Sequence, residues 1–334
     1  MKKFGSIQAL RAVAANLVVI YHAILLYSLH DHSYAVAASR FPDIGTSGVQ
    51  CFFVISGFVM AGISKSETAG AFLRARLTRI YPIYWFYLAL TITYFLLRNV
   101  NFDIPQVISA ILLLPDGAKP ILSVSWSLIH ELYFYIVVAL IIAFRAPLLP
   151  SLAVWAATII ISKAAETTTS TYVVGLVTHG YTLSFIAGML VAILPIGRWA
   201  PAALIVGLAS LPYGILHVSE QEITRSLLMG GPYVLILYGV INLERAGKLT
   251  APMWLQRLGD ASYSTYLSHI LVVSLFCKIY GSIPHFGVIG DIIFVVVSMV
   301  AANIWGLLSY RFIELPILGY TRNFAKPLKM AHST

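Results

Sequence analysis

The chain has 334 residues, of which 59% are hydrophobic and only 10% charged, with a mean hydropathy of +0.85. A soluble domain would carry about 25% charged residues, so that class is excluded and the chain reads as a polytopic, all-α integral membrane protein. The formal net charge of +9 does not call for nucleic acid, because membrane proteins retain Lys and Arg on their cytoplasmic side.

Met1-Lys2-Lys3 before an apolar run imitates a secretory signal, but Arg11 and His22 interrupt the run and many further spans follow, so an uncleaved first helix is expected. Runs of the length that crosses a hydrocarbon core of about 30 Å fall at residues 6–28, 45–63, 80–98, 124–144, 148–163, 173–194, 200–217, 226–243, 263–280 and 287–308. The apolar stretch 104–115 is too short and is broken by Pro105 and Pro115, so a re-entrant or interfacial helix is expected there. With about ten crossings and both termini cytoplasmic, 16 of the 22 basic residues fall inside and 6 outside. If 104–115 crossed as well, the basic loop 244–260 and the C-terminal tail would move outside, against the positive-inside rule.

Candidate chemistry begins in the first span. His22 follows Arg11 by eleven residues, which returns to the same helix face within about 20° and separates the two by roughly 16 Å. Ionisable groups in a membrane helix are costly and face a cavity or a partner. His22 is either a satisfied packing histidine or a general base, since imidazole titrates near neutrality. In the second span, Ser56 and Gly57 either serve close helix packing or let a thin acyl arm pass the backbone. Ser56 is not expected to be a nucleophile, as it lacks a GxSxG elbow. Cys51, in the same span, and Cys277 show no CxxC spacing and read as packing residues, with no metal implied.

Arg74, Arg76 and Arg79 fall in a cytoplasmic stretch and exceed what orientation requires. Arginine forks suit phosphates, either those of a cytosolic ligand or those of anionic lipid headgroups. Glu131 lies about 10 Å into a span that enters from outside, at an expected depth comparable with His22, and a buried carboxylate needs such a partner. Ser127, one turn earlier, is placed to share its ligand; Trp126 is an interface aromatic or a sugar-stacking surface; His130 points away, to pack or to bind substrate. In the block 258–269, Asp260 or Ser262 is expected to cap a helix, and His269 lies too far inward to be the obvious partner of His22. Arg311 and Glu314 are expected to pair at the inner surface.

Five blocks taken together, Ser6 to Arg11 with His22, Phe52 to Phe58, Arg74 to Tyr81, Trp126 to Glu131 and 258–269, resemble the acyltransferase-3 family, and especially its bacterial exopolysaccharide O-acetyltransferases of the succinoglycan type. The resemblance implies one membrane acyltransferase domain over residues 1–316, followed by a short basic cytoplasmic tail, 317–334, in the bacterial inner membrane. It implies acetyl-CoA as acyl donor and a carbohydrate acceptor, lipid-linked or polymeric, with membrane lipids around it. Arg11 and His22 match the family's Arg-x10-His pair, Arg76 and Arg79 its Arg-x-x-Arg motif, and Ser56-Gly57-Phe58 its Ser-Gly-Phe element. In that reading His22 deprotonates a sugar hydroxyl, or carries the acetyl group transiently, with Glu131 orienting it. Arg11, Arg74, Arg76 and Arg79, with Ser56 and Gly57, hold the donor, while Trp126, Ser127 and His130 meet the acceptor. A transporter or flippase for lipid-linked glycans is the alternative; it calls for inverted-repeat symmetry, which the chain does not display. A scaffold subunit of an export complex is a third reading, in which the buried His and Glu have no purpose.

Overall fold

The computed structural model describes residues 4–30, 44–63, 68–165, 171–195, 197–217, 221–280 and 287–324. Lys2, Lys3, Arg40, Lys65, Lys326 and Lys329 of the charge count, and the end of the basic tail, lie outside them. Among the described residues every regular element is helical: α1 (Gly5–His30), α2 (Ile44–Ile63), α3 (Ala69–Leu96), α4 (Ile104–Leu112), a 3-10 turn (Ser123–Ser125) leading into α5 (Trp126–Ala143), and α6 (Leu148–Ala164). There follow α7 (Tyr172–Val177), α8 (Tyr181–Ile193), α9 (Ala200–Leu216), α10 (Glu222–Arg245), α11 (Met253–Asp260), α12 (Ser262–Tyr280) and α13 (Gly287–Ser309). A π-helical turn (Tyr310–Glu314) and α14 (Leu315–Phe324) complete the described chain.

Length and composition single out six membrane-crossing segments: Gly5–Ser28, Ile44–Gly62, Ser123–Ala143, Tyr172–Ile193, Glu222–Arg245 and Ile289–Thr321. This is fewer than the ten expected. The other four expected spans fall on helices too. Of these, α6 and α9 have 17 residues each, while α3 and α12 are longer but polar, carrying the arginine cluster and the Ser262-to-His269 block. The two long helices that fail the apolar criterion are thus rich in candidate site residues.

The short helix α4 packs its C-terminal end against α3. Its last carbonyls have no partner within the helix, and α3 supplies donors: Tyr84 Oη–H to Ala110 O at 2.6 Å, Trp85 Nε1–H to Ile111 O at 2.9 Å and Tyr81 Oη–H to Leu112 O at 2.9 Å. Glu244, from the last turn of α10, caps α1. Its carboxylate accepts from Gly5 N at 2.8 Å, Ser6 N at 2.9 Å and the Ser6 hydroxyl, a favourable charge at a helix N-terminus.

Small residues set the closest helix crossings. A Cβ on Gly57 would fall 1.9 Å from Phe185 O, and one on Gly188 would fall 2.0 Å from Val54 O, so α2 and α8 touch backbone to backbone. Along α1, Gly45 lies against Tyr21, Gly48 against Ala14 and Val18, and Cys51 against Leu10 O, which fixes an antiparallel register between α1 and α2. The helix ends are consequently staggered. Beyond the start of α2, α1 continues for roughly 13 Å. Ser125, at the start of α5, lies beside Tyr84 in the middle of α3, so α3 continues outward for roughly another 18 Å.

Candidate active site

Between α1, α2, α3, α5 and α12 lies a cavity of about 220 Å³. It follows α2 from Val49 to Met60, roughly 16 Å of helix. The sequence puts polar groups on its wall at turn spacing: Gln8 and Arg11 from α1, Ser56 from α2, Arg79 from α3, Ser127, Glu131 and Tyr135 from α5, and Ser262, Tyr263 and Tyr266 from α12. Phe52, Phe53, Ile55, Val59 and Ile80 are among the apolar residues that complete the lining.

The charges in this wall are balanced. Arg11 lies within electrostatic reach of Arg79 and of three carboxylates, Glu314, Glu131 and Asp260. Glu131 Oε1 accepts from Ser56 Oγ at 3.3 Å and from the Tyr135 hydroxyl. Glu314 is buried and accepts from Ser264 Oγ at 2.6 Å. Burying charge is tolerable only with such pairing and hydrogen bonding. Two further wall groups are orphaned: among the described residues, Gln8 Oε1 and Ser262 Oγ are buried without a hydrogen-bond partner. A polar guest in the cavity would satisfy them.

The three arginines of α3 are graded along the approach to this cavity. Arg74 is exposed, Arg76 is half-buried with a buried Nε, and Arg79 is half-buried and lines the cavity. Ser127 lines it too, but its hydroxyl is engaged, 2.8 Å from the Tyr266 hydroxyl. Ser56 faces the cavity while hydrogen-bonded to Glu131. Its neighbour Gly57 faces α8 instead, so of the two readings of that glycine the structure supports packing.

The His22–Glu131 pairing expected from the sequence does not form. Glu131 sits near Arg11, whereas His22 lies farther along α1 and does not line the cavity. The depth estimate took residue 124 as the outer boundary, but the start of α5 is sunk below the tips of α1 and α3, so Glu131 lies deeper. The partner of His22 is His269, whose Nε2 is 3.2 Å from His22 Nδ1, against the expectation that His269 lay too far inward. Gly259 packs on Gln8 O, which advances α12 along α1. The His22 ring also folds back toward Val18 O, at 2.9 Å, and this closes the remaining gap.

His130 and Trp126 lie outside the cavity. They form an aromatic cluster with Tyr181 and His179, with ring centroids 5.0 Å apart for His130–His179 and 5.5 Å apart for Trp126–Tyr181. The expected Arg311–Glu314 surface pair is replaced by a cation–π contact of Arg311 with Phe312 at 5.7 Å and by burial of Glu314. The π-turn rotates Glu314 inward, a device often found at functional sites, and no charge pattern in the sequence announced it. Ser262 does not cap α12, since its hydroxyl is unbonded. Among the described residues, no group of three or more His, Cys, Asp and Glu side chains is gathered as a metal site would need.

Comparison with known proteins gives this geometry a family. A profile described as an acyltransferase domain matches residues 4–311. The exopolysaccharide production protein ExoZ of Rhizobium meliloti (strain 1021) is 29% identical over 300 residues, covering 82% of this chain and 90% of that protein. Protein 2 in the picA locus of Rhizobium radiobacter is 29% identical over 160 residues, 39% of this chain and 78% of that protein. No solved structure matches. With the profile spanning nearly the whole chain, across every helix that lines the cavity, the protein belongs to the acyltransferase-3 family.

Proposed function

We propose that the protein moves an acetyl group from cytosolic acetyl-CoA to a sugar hydroxyl of an exopolysaccharide or its lipid-linked precursor. The observation that carries this reading is the cavity itself, a mostly apolar passage along α2 lined by Arg11 and Arg79, with the His22–His269 pair farther along α1. Arg74 and Arg76 meet the phosphates of the donor at the cytosolic entrance, and Arg79 and Arg11 continue the positive lining inward. Glu131 lies within electrostatic reach of Arg11, and Glu314 within reach of both arginines, so the two carboxylates balance their charge. The donor's thin thioester arm follows the α2 wall, and Gln8 of α1 and Ser262 of α12 offer it unused hydrogen-bonding groups.

By the α1–α2 register His22 lies about two turns beyond Val49, the outermost cavity residue on α2, and its ring folds back toward Val18 O, nearer the cavity. There it takes the proton of the sugar hydroxyl as the hydroxyl oxygen attacks the thioester carbonyl. The carbon–sulfur bond breaks, the ester forms, and the proton passes from His22 to the departing thiolate. Trp126 and His130, which lie outside the donor cavity, are assigned to the acceptor in this reading.

The setting is a bacterial inner membrane, crossed ten times with both termini inside, with residues 1–316 as one domain. Contacts between helix ends support this topology. The start of α1 is bonded to the end of α10 through Glu244, and Lys163, at the end of α6, pairs with Glu222, at the start of α10, at 2.9 Å. The name of the Rhizobium meliloti relative supports exopolysaccharide as the acceptor class. Release of free CoA from acetyl-CoA by the purified protein in lipid nanodiscs tests the proposal. Release that depends on added glycan acceptor is expected; CoA retained in full with every acceptor, while the protein carries glycan across vesicle membranes, would assign transport instead.

A further inference from the structure

His269 is fully buried, yet it sits at the centre of a directional chain of hydrogen bonds. Its Nδ1 is 2.7 Å from Tyr266 O, its Nε2 is 3.2 Å from His22 Nδ1, and His22 Nδ1 is also 2.9 Å from Val18 O. A carbonyl oxygen can only accept, so Nδ1 of His269 carries a proton. The neutral ring then has a lone pair at Nε2. Both atoms facing His22 Nδ1, Val18 O and His269 Nε2, are therefore acceptors, and both require a proton on that nitrogen. Among the described residues, Nε2 of His22 has no hydrogen-bond partner.

From this geometry we infer that His269 is a positioning residue that, with Val18 O, holds His22 in its Nδ1–H tautomer and presents Nε2 as the basic nitrogen. The inference rests on the reading of His22 as the base of acyl transfer. It also gives His269 the place that the sequence offered to Glu131. When Nε2 takes the proton of the hydroxyl, the Nδ1–H of the resulting imidazolium already points at a carbonyl and at a second imidazole. Both steady the positive charge by hydrogen bonding, as the third member of a catalytic triad does, without a buried carboxylate. Tyr266 links this chain to the donor cavity: its carbonyl anchors His269 while its side chain lines the cavity wall.

Two measurements on the full chain in lipid nanodiscs test this. In protein labelled with 15N-histidine, the His22 resonances, assigned by their loss in His22→Gln, are expected to show a protonated Nδ1 and an unprotonated Nε2. A proton on Nε2 would overturn the inference. In steady-state transfer, His269→Leu is expected to lower kcat on the order of 100-fold while KM for acetyl-CoA stays within about threefold. His269→Gln, whose amide oxygen can stand where Nε2 stood, is expected to recover at least tenfold of that loss. A wild-type kcat in His269→Leu, or His269→Gln no better than His269→Leu, would overturn the positioning role. If the unsubstituted protein transfers no acetyl group, the acyltransferase reading fails by itself, and the NMR spectrum still decides the tautomer.

Discussion

Replacing Gly57 by alanine tests whether this glycine serves helix contact or donor passage. The added Cβ would fall 1.9 Å from Phe185 O and 2.9 Å from Phe185 C, where ordinary contact begins at 3.4 Å. The obstacle is backbone, not a side chain that can rotate away, so α2 and α8 must part by roughly 1.5 Å. Gly188 makes the reciprocal approach to Val54 O, so the parting opens two close crossings at once. Overpacking of this kind costs about 1–3 kcal/mol and occasionally more. Because two crossings open together, a cost of about 3 kcal/mol is expected, at the upper end of that range. Gly319→Ala, at an exposed interior position of α14, is the control: nothing lies within 4 Å of its Cβ, so it should gain about 0.5–1 kcal/mol from helix propensity. Reversible unfolding in mixed micelles reads both differences. A Gly57→Ala protein as stable as wild type would refute the packing argument, and a raised KM for acetyl-CoA at unchanged stability would restore the passage reading.

Arg79→Ala should raise KM for acetyl-CoA at least tenfold, whereas Arg74→Ala, at an exposed position, should raise it no more than about threefold; equal effects in steady-state kinetics would contradict the graded entrance. Glu244→Ala removes the acceptor for three donors at the start of α1 and should lower stability by about 2–3 kcal/mol, measured by the same unfolding assay. A loss below about 0.5 kcal/mol would show that the cap is dispensable. Tyr84→Phe deletes the bond to Ala110 O and should cost about 1 kcal/mol. It should also speed amide hydrogen exchange within 104–112, and unchanged exchange there would argue against docking of α4 through its carbonyls.

Part of the architecture was legible in hydropathy. Six of the ten expected spans are helices long and apolar enough to cross a membrane, and 104–112 forms a separate short helix, because run length reflects the hydrocarbon thickness. What hydropathy could not supply was the relative height of the helices. Helix stagger is set by local contacts such as Gly48 on Ala14 and Gly259 on Gln8, and no single segment announces them. Depth counted from each segment's own boundary therefore paired His22 with Glu131, when the stagger sets Glu131 beside Arg11 and brings His269 to His22. The arginine cluster was visible because its excess over topology shows in composition. The burial of Glu314 was not, because its inward rotation depends on a π-helical turn, which leaves no periodic signature.

The central claim is that His22 deprotonates the acceptor in an acetyl transfer fed from the cavity. Its most direct measurement is the incorporation of radiolabelled acetyl from acetyl-CoA into glycan by membranes containing the protein or its His22→Ala variant at equal, folded abundance. The account predicts label in glycan with the unmodified protein and none above background with His22→Ala. Undiminished incorporation by the variant would contradict it.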